Sequence, residues 1–335
     1  MSKRHLSQQQ TQRIRQLQEK RISKARSAGP DDDAHLDPPG TGLVIARYGS
    51  RTEVEGLEGP HAGEVWRCHI RSNMEALVTG DRVIWQADTT SQAGVVTALL
   101  PRQSLLTRPD PYQRIKPVAA NIDRILLVIA PLPTVSPWLI DRYIVACEHS
   151  DIPVLIVLNK SDLMQGPEAD ALRERLAEYH ALGYPHIEVS ALGDLSTLRP
   201  EISGRTVALV GQSGVGKSSL VNVLLPDAAQ RVNIISDNSG LGQHTTTTSR
   251  LFHLPEGGML IDSPGIREFG LWHLDEDSIR RGFTEMREFY GDCRFRNCQH
   301  QSEPGCALRA AAEAGKILPR RLESMHRLIA ESKSQ

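Results

Sequence analysis

The sequence predicts an α/β protein in three parts: an N-terminal β-barrel, a central parallel sheet with helices on both faces, and a helical C-terminal module. Short strands bounded by turn residues occupy positions 41–106, and apolar strands alternate with helical stretches from residue 121 onward. Three of the five cysteines fall within fourteen residues near the C-terminus. A chain of 335 residues is long enough for two or three domains, each with its own core.

Composition narrows the class of protein. No segment reaches the roughly 18 apolar residues that a membrane helix needs, and the basic N-terminus has no apolar core like that of a secretory signal. Few cysteines, mostly clustered, indicate metal binding in a reducing cytosol rather than disulfides. We therefore expect a cytoplasmic protein without a membrane partner. A monomer is expected because no heptad or apolar stripe favours a dimer, although the sequence does not fix the oligomeric state.

The N-terminal arm, residues 1–38, is basic and poor in aromatic residues. Its first 26 residues carry eight Lys/Arg and a single acid, Glu19, within a chain whose net charge is −1. This composition predicts disorder or a solitary helix. A solvated tail and an arm that contacts RNA phosphates are both open.

Residues 39–108 are predicted to form a small barrel. Alternating or apolar runs at 42–46, 63–70, 81–85 and 93–98 are bounded by turn residues. About five strands in this length fit an OB-fold, although an SH3-like barrel has the same pattern. The side chains of Arg67, His69 and Arg71 alternate onto one strand face. That face is either an ordinary solvated surface or a nucleic-acid surface.

Residues 117–274 are predicted to form the parallel sheet. Continuous apolar runs, as strands buried on both faces require, are separated by helical stretches. They lie at 125–129, 154–158, 186–189, 206–210 and 259–261. Between the first two, Ile140, Tyr143, Ile144 and Cys147 recur at helical spacing, which predicts that Cys147 is a core residue.

Residues 211–218 form a complete phosphate-loop motif between a buried strand and a helix. Its glycines let backbone N–H groups turn towards phosphate oxygens, and the helix N-terminus adds its dipole. Lys217 is predicted to reach the β- and γ-phosphates and to act in catalysis, and the Ser218 hydroxyl to bind Mg²⁺. The predicted phosphate-binding residues are Gly211, Gln212, Ser213, Gly214, Val215, Gly216, Lys217, Ser218 and Ser219.

A second motif, Asp262-Ser263-Pro264-Gly265, follows an apolar strand. Asp262 is predicted to hold Mg²⁺ and the Gly265 N–H to sense the γ-phosphate. The stretch 240–248, Gly-Leu-Gly-Gln-His-Thr-Thr-Thr-Thr, is typical of a mobile switch. One of its threonine hydroxyls should complete the Mg²⁺ shell, but the spacing does not say which one.

Base recognition is predicted at Asn159-Lys160-Ser161-Asp162, directly after a strand. The Asp162 carboxylate can accept hydrogen bonds from guanine N1–H and N2–H₂, a pair that adenine lacks, so the motif favours GTP and GDP over ATP. After the next strand, Ser190-Ala191 offers a backbone N–H to guanine O6. Together with the phosphate loop, these motifs predict a guanine-nucleotide hydrolase.

The order of the motifs is inverted, since the base-reading motif precedes the phosphate loop. In an ordinary small GTPase it follows. Ile266 occupies the position where many GTPases have a water-orienting glutamine, so intrinsic hydrolysis is expected to be slow and assisted by a partner. We hypothesise that His244 positions the attacking water; a solvent-facing histidine is the alternative.

The C-terminal module, residues 275–335, is predicted to hold one structural Zn²⁺. Cys293, Cys298, His300 and Cys306 supply three thiolates and an imidazole, a closed set that leaves no position for water. Before them Ile279, Phe283, Met286 and Tyr290 predict a helix, and after them Leu318, Leu322, Met325 and Ile329 predict another. Arg294, Arg296, Arg320 and Arg321 face either phosphates or water.

These motifs, in this order, resemble the circularly permuted ribosome-biogenesis GTPases of the bacterial RsgA (YjeQ) family. The resemblance covers roughly residues 41–330. It implies a circularly permuted GTPase domain flanked by an N-terminal OB-fold and a C-terminal zinc-binding domain. It also implies a protein that binds the 30S ribosomal subunit and its 16S rRNA late in maturation, hydrolyses GTP slowly, and is stimulated by that subunit. Such proteins act as an assembly checkpoint and help to release other assembly factors.

Two rival functions stay open at this point. The first is an RNA-binding module for which GTP is only a structural ligand, and GTP turnover distinguishes it. The second is an RNA-modifying enzyme, but the sequence offers no residues for a second catalytic pocket. The sequence also leaves open which rRNA helices are contacted and whether His244 is catalytic.

Overall fold

The computed structural model describes residues 35–49, 51–71, 74–109, 114–226, 249–263 and 274–333, and positions 16, 18–20, 22, 23, 25, 112 and 266. The predicted switch at 240–248, with His244, and the predicted γ-phosphate sensor Gly265 lie outside the described residues.

The N-terminal part is a closed five-stranded barrel. Its strands are β1 (Gly40–Tyr48), β2 (Arg51–Gly56), β3 (Val65–Ile70), β4 (Arg82–Asp88) and β5 (Ala93–Leu99). They pair in the order β1-β2-β3-β5-β4, and β4 closes the barrel on β1. Closure removes the exposed edges of the sheet and confirms the OB-type barrel.

Strand β2 has no counterpart among the predicted runs. Its sequence, Arg-Thr-Glu-Val-Glu-Gly, places charged side chains at every second position, and the buried face carries Thr52 and Val54. Strand β3 alternates as predicted, with Cys68 buried and Arg67, His69 and Arg71 exposed.

His61 joins the segment before β1 to the segment before β3. The ring of His61 hydrogen-bonds Asp37 through Nε2 and Glu64 through Nδ1, both at 2.8 Å. It also lies edge-on to Trp66, with ring centroids 4.8 Å apart. The hydrogen bonds that the His61 ring donates to the carboxylates, first of Asp37 and then of Glu64, raise the pKa of His61 above 6.5, because they favour its charged form.

The described positions of the N-terminal arm between residues 16 and 25 are helical, which is one of the two states expected for it. Ile22 and Ala25 pack on the outside of the barrel against Ile84 and Ala98. The Gln18 amide also donates to the Glu75 carboxylate at 3.4 Å.

A two-stranded hairpin, β6 (Leu105–Pro109) and β7 (Ile115–Ala120), connects the barrel to the central sheet. It spans the gap between the two predicted ranges, 39–108 and 117–274, which stay a prediction as domain limits.

The central sheet contains β8 (Arg124–Ile129), β9 (Val154–Leu158), β10 (His186–Glu188), β11 (Thr206–Val210), β12 (Arg250–His253) and β13 (Met259–Asp262). Its order is β10-β9-β8-β11-β13-β12, with all neighbours parallel except β12 and β13. Strand β12 also pairs with barrel strand β1, so the two sheets are continuous.

Helices cover both faces of this sheet, as the apolar strands predicted. They are α1 (Pro137–Ser150), α2 (Pro167–Ala181), α3 (Arg199–Ile202) and α4 (Lys217–Leu224). Successive side chains of β8 enter different cores: Ile125 and Leu127 belong to one, Leu126 and Val128 to the other. Cys147 on α1 is buried in the first of these cores, as predicted.

The C-terminal module contains α5 (Glu276–Arg281), a 3₁₀ helix (Thr284–Phe289), α6 (Ala307–Glu313) and α7 (Pro319–Lys333). The single helix predicted from Ile279 to Tyr290 is wrong, because the α-helix ends at Arg281, before Gly282, and a separate 3₁₀ helix begins at Thr284. A Cβ on Gly282 would lie 2.6 Å from Val145 Cγ1 on α1, so the close approach requires glycine, which also favours the end of a helix.

The module is fixed to the central domain by a buried arginine. Arg321 and Asp141 are both fully buried and paired at 2.6 Å. Arg321 also donates to both oxygens of Glu285, at 2.7 and 3.1 Å, and its guanidinium lies 4.6 Å from the centre of the Phe283 ring. Arg320 stacks 4.8 Å from the Tyr179 ring and pairs with Glu178 at 2.6 Å. The expectation that these two arginines face phosphates or water is therefore wrong, because carboxylates on α1, α2 and the 3₁₀ helix neutralise them.

Candidate nucleotide and metal sites

The predicted phosphate loop lies where its sequence context places it, between the end of β11 and the start of α4. Gly211, Gly214 and Gly216 all have positive φ, the backbone conformation that turns successive N–H groups inward. Val215 is fully buried and anchors the loop, while Ser213, Ser218 and Ser219 are exposed at its rim.

Lys217 lies over this loop. Its Nζ donates to the carbonyl oxygens of Gly211 and Gln212, at 2.7 and 2.6 Å. The charged oxygens of a phosphate are stronger acceptors for an ammonium than these neutral carbonyls, since bonds between two charged groups are the stronger ones. The loop therefore fits a polyphosphate.

Asn159 connects the predicted base-reading motif to the phosphate loop. Its Nδ2 donates to the Val215 carbonyl at 2.9 Å, and its Oδ1 accepts from the Ala191 N–H at 3.0 Å. A Cβ on Gly216, whose φ is +93°, would lie 2.3 Å from Asn159 Nδ2. The two motifs are thus in contact across 56 residues of sequence.

Lys160 makes a second connection. It has a left-handed backbone conformation, with φ of 61°. Its Nζ donates to the carbonyls of Leu132 and Gly214, both at 2.8 Å. The loop before α1, the base-reading motif and the phosphate loop therefore form one bonded unit.

Asp162 faces the predicted Ser-Ala motif. The Ser190 hydroxyl donates to Asp162 Oδ1 at 2.6 Å, which holds an otherwise exposed carboxylate in a fixed position. The Ala191 N–H, expected to bind guanine O6, donates to Asn159 in this structure, and its role towards guanine stays a prediction.

The predicted Mg²⁺ ligands meet at the same edge of the sheet. Strands β11 and β13 are parallel neighbours, with Ala208 opposite Ile261, so Asp262 ends beside the start of the phosphate loop. A carboxylate from Asp262 and a hydroxyl from Ser218 are the hard oxygen ligands that Mg²⁺ prefers. Ile266 is buried in the core, so its side chain does not reach this edge.

The predicted zinc ligands come together as a tight cluster. The ligand atoms of Cys293, Cys298, His300 and Cys306 all lie within 4.8 Å of one another. The Sγ atoms of Cys293 and Cys306 each lie 3.5 Å from His300 Nδ1. Burial lowers the pKa of His300, which keeps the imidazole neutral and able to bind a metal at neutral pH. Donor chemistry and spacing both fit a structural zinc ion.

The zinc-ligand loop is held in shape by a carboxylate that sequence reasoning missed. Glu303 accepts the backbone N–H groups of Gln299, Gln301 and Ser302, at 2.8, 3.0 and 3.1 Å. These bonds lower the pKa of Glu303 to about 2. His300 adopts a left-handed conformation within this loop, with φ of 64°. An acidic residue between two metal ligands was the only signal in the sequence.

The fold and the bonded motifs define a circularly permuted GTPase, with the base-reading motif before the phosphate loop. The family model for the RsgA GTPase matches residues 99–272. The chain belongs to the RsgA GTPase family. Within the described residues, no helix is long and apolar enough to cross a membrane.

Relatives match over nearly the whole chain. A protein of Marinobacter nauticus named small ribosomal subunit biogenesis GTPase RsgA is 50% identical, covering 100% of this chain and 98% of its own length. A protein of Pseudomonas aeruginosa with the same name is also 50% identical, covering 98% of each chain. The crystal structure of YjeQ from Thermotoga maritima matches with a TM-score of 0.70 and 29% identity over 89% of this chain and 99% of that chain. That of YloQ, described as a circularly permuted GTPase, matches with a TM-score of 0.69 and 26% identity, over 92% and 98%.

Proposed function

We propose that this GTPase binds the 30S ribosomal subunit late in its maturation and hydrolyses GTP slowly until the subunit stimulates it. It acts as an assembly checkpoint that helps to release other assembly factors, and it works as a monomer in the cytoplasm. The observation that carries the proposal is the bonded contact between Asn159 and the phosphate loop, which builds one nucleotide site from motifs in reversed order. The names of the full-length relatives support the ribosomal partner.

In the proposed site each group of residues has one task. Asp162 accepts from guanine N1–H and N2–H₂, and the Ala191 N–H donates to O6. The backbone of 211–216 and Lys217 hold the phosphates, while Ser218, Asp262 and one switch threonine hold Mg²⁺, with Gly265 against the γ-phosphate. Mg²⁺ supplies charge neutralisation for the phosphates when it is bound.

Slow hydrolysis follows from the position of Ile266. Its buried side chain takes part in core packing and cannot orient a water molecule. His244 is the proposed water-positioning residue once the partner is bound. His244→Ala should then lose the partner-stimulated part of turnover, and undiminished stimulation would reject this role.

RNA contact is proposed for the exposed face of β3. Arg67, His69 and Arg71 project from the barrel on one side, while Cys68 between them is buried. Exposed cationic side chains on a barrel strand neutralise phosphates, and the basic N-terminal arm adds to the same charge. Both contact 16S rRNA in the proposal.

The four-ligand cluster holds one Zn²⁺ in a structural role. Its ligands lie between the 3₁₀ helix and α6, in the module whose α7 and 3₁₀ helix the buried Arg321 network joins to α1, so zinc stabilises the module on the GTPase domain. A closed set of three cysteines and a histidine leaves no position for a substrate.

The test is GTP hydrolysis with and without purified 30S subunits. We expect slow turnover alone and a large increase with 30S, and no increase with 50S subunits. Equal rates in all three samples would contradict the ribosomal part of the proposal while leaving the GTPase intact. Stimulation by any RNA, including an unrelated duplex, would contradict the specificity for the small subunit.

A further inference from the structure

The barrel and the predicted Mg²⁺ edge of the central sheet are joined by two hydrogen bonds that hydroxyl groups donate, one to a backbone carbonyl and one to another hydroxyl; together they are called the hydroxyl chain. Thr79, in the loop between β3 and β4, donates from Oγ1 to the Ser249 carbonyl at 3.0 Å. Ser249 in turn donates from Oγ to Ser263 Oγ at 2.6 Å. Ser263 directly follows Asp262, so the chain connects the barrel to the predicted Mg²⁺ carboxylate.

The members of this chain are shielded from water. Thr79 is 1% exposed and Ser263 3% exposed, whereas Ser249 is half-buried between them. Water therefore cannot readily replace these bonds, so breaking one of them has a cost. The Ser263 carbonyl also accepts the Ile266 N–H at 3.0 Å, which ties the backbone after Asp262 to the same residue.

The part of the loop next to Thr79, residues 78–81, is held by several hydrogen bonds. Asp81, fully buried, accepts from Arg102 at 2.7 Å and from the Val78 N–H at 2.7 Å. The Thr79 carbonyl accepts the Ala120 N–H at 3.0 Å. At Gly80, whose φ is +89°, a Cβ would lie 2.2 Å from the Ala120 carbonyl oxygen, so the loop fits tightly against the central domain. Thr79 is thus held in place by the bonds of its neighbours along the chain and by the close contact with Ala120.

Backbone pairing runs alongside the hydroxyl chain. Arg250, next to Ser249, lies opposite Ala46 of the barrel on one side and opposite Asp262 on the other. Its guanidinium donates to Glu53 of β2 at 3.1 Å. Strand β12 is therefore held between the barrel and the strand that ends in the carboxylate.

We propose that Thr79 and Ser249 are positioning residues, which transmit the docking of a partner on the barrel to Asp262 and so set the rate of partner-stimulated GTP hydrolysis. The proposal rests on the proposed function, because it needs a partner that stimulates hydrolysis. Neither Thr79 nor Ser249 is among the predicted nucleotide or metal ligands; in the proposal they act through Ser263 on the carboxylate of Asp262 beside it.

The test compares Thr79→Val and Ser249→Ala with the matched control Thr52→Val. Thr52 is equally buried, at 1% exposed, and donates to the Ala46 carbonyl at 2.9 Å, but this bond lies entirely within the barrel. Thermal unfolding measures the structural cost of each change. GTP hydrolysis is measured alone, with 30S subunits, and as a function of Mg²⁺ concentration.

We expect Thr79→Val and Ser249→Ala to keep the basal rate and to lower the ratio of stimulated to basal rate about fivefold, the value of one neutral hydrogen bond. The Mg²⁺ concentration for half-maximal stimulated hydrolysis should rise in both, whereas Thr52→Val should match wild type in both readouts. Unchanged ratios in Thr79→Val and Ser249→Ala, with wild type stimulated, would overturn the inference, as would equal losses in Thr52→Val. If wild type itself is not stimulated, it is the proposed function that fails.

Discussion

Replacing Arg321 by methionine tests how the C-terminal module is held on the GTPase domain. Methionine keeps much of the length and the apolar contact with Phe283, but it removes the charge. Three hydrogen bonds are lost, one to Asp141 and two to Glu285. Two carboxylates then remain in the interior without their cation, one fully buried and the other with a side chain 10% exposed.

The size of the effect follows from this stranded charge. Removing one partner of a buried ion pair costs about 3–5 kcal/mol, mainly because the other charge stays buried. Asp141 retains the bond from the Tyr179 hydroxyl at 2.5 Å, and Glu285 is close enough to the surface to recover some hydration. We therefore expect Arg321→Met to lower the free energy of unfolding by about 3 kcal/mol.

The assay is urea unfolding followed by circular dichroism, with Arg309→Met as the matched control. Arg309 lies on α6 and faces Glu313 at 4.0 Å on an exposed surface, where such a pair contributes less than about 0.5 kcal/mol. The double variant Asp141→Asn with Arg321→Met should be less destabilised than the sum of the two single changes, because the stranded charge is gone. A loss for Arg321→Met as small as that of the control would refute the reasoning.

Three further predictions concern the barrel, the metal and the phosphate loop. Because the pKa of His61 is raised above 6.5, its ion pairs stabilise the fold fully below that pH and are lost as the pH rises through the folded pKa. Thermal unfolding measured at a series of pH values should show this loss of stability in wild type. A loss of the same size in His61→Gln would contradict the prediction. Cys298→Ser should bind less than one zinc per chain and unfold at a lower temperature, whereas Cys147→Ser, at a buried cysteine that is not one of the four ligands, should retain the metal; equal zinc content by elemental analysis would count against the site. Gly216→Ala should abolish GTP binding, measured by calorimetry, because the new Cβ would collide with the Asn159 side chain. The control Gly183→Ala, at a glycine with positive φ and nothing within 4 Å of its Cβ position, should bind GTP normally. Equal GTP affinities of the two variants would contradict the contact between Gly216 and Asn159.

Much of the architecture could be predicted because strands of the central sheet are buried on both faces, which produces continuous apolar runs in the sequence. Strand β8 is apolar from residue 125 to residue 129, since odd and even side chains enter different cores. Strand β2 could not be predicted, because charged residues occupy every second position and its buried face includes a threonine. The short strand β12 links the barrel to the central sheet by pairing with β1 and β13. No pattern in its own four residues indicates this pairing.

The site was more predictable than its connections. Residues of the phosphate loop, the base-reading motif and the metal cluster occur in motifs whose spacing reflects their chemistry. The residues that hold these groups in position do not occur in recognisable motifs. Thr79 and Ser249 are 170 residues apart and have no motif, and a fully buried Arg321 runs against the usual exposure of arginine.

The most direct test of a single guanine site built from reversed motifs is the nucleotide preference of Asp162→Asn. An asparagine amide suits xanthine, whose C2 carbonyl replaces the guanine amino group, and it no longer accepts from both guanine donors. Affinities for GTP and XTP should be measured for wild type and the variant. We predict that GTP affinity falls about 10²–10⁴-fold, the value of two hydrogen bonds to a charged group, while XTP affinity rises. An unchanged affinity for GTP would show that Asp162 does not read the base of the nucleotide whose phosphates the 211–218 loop holds.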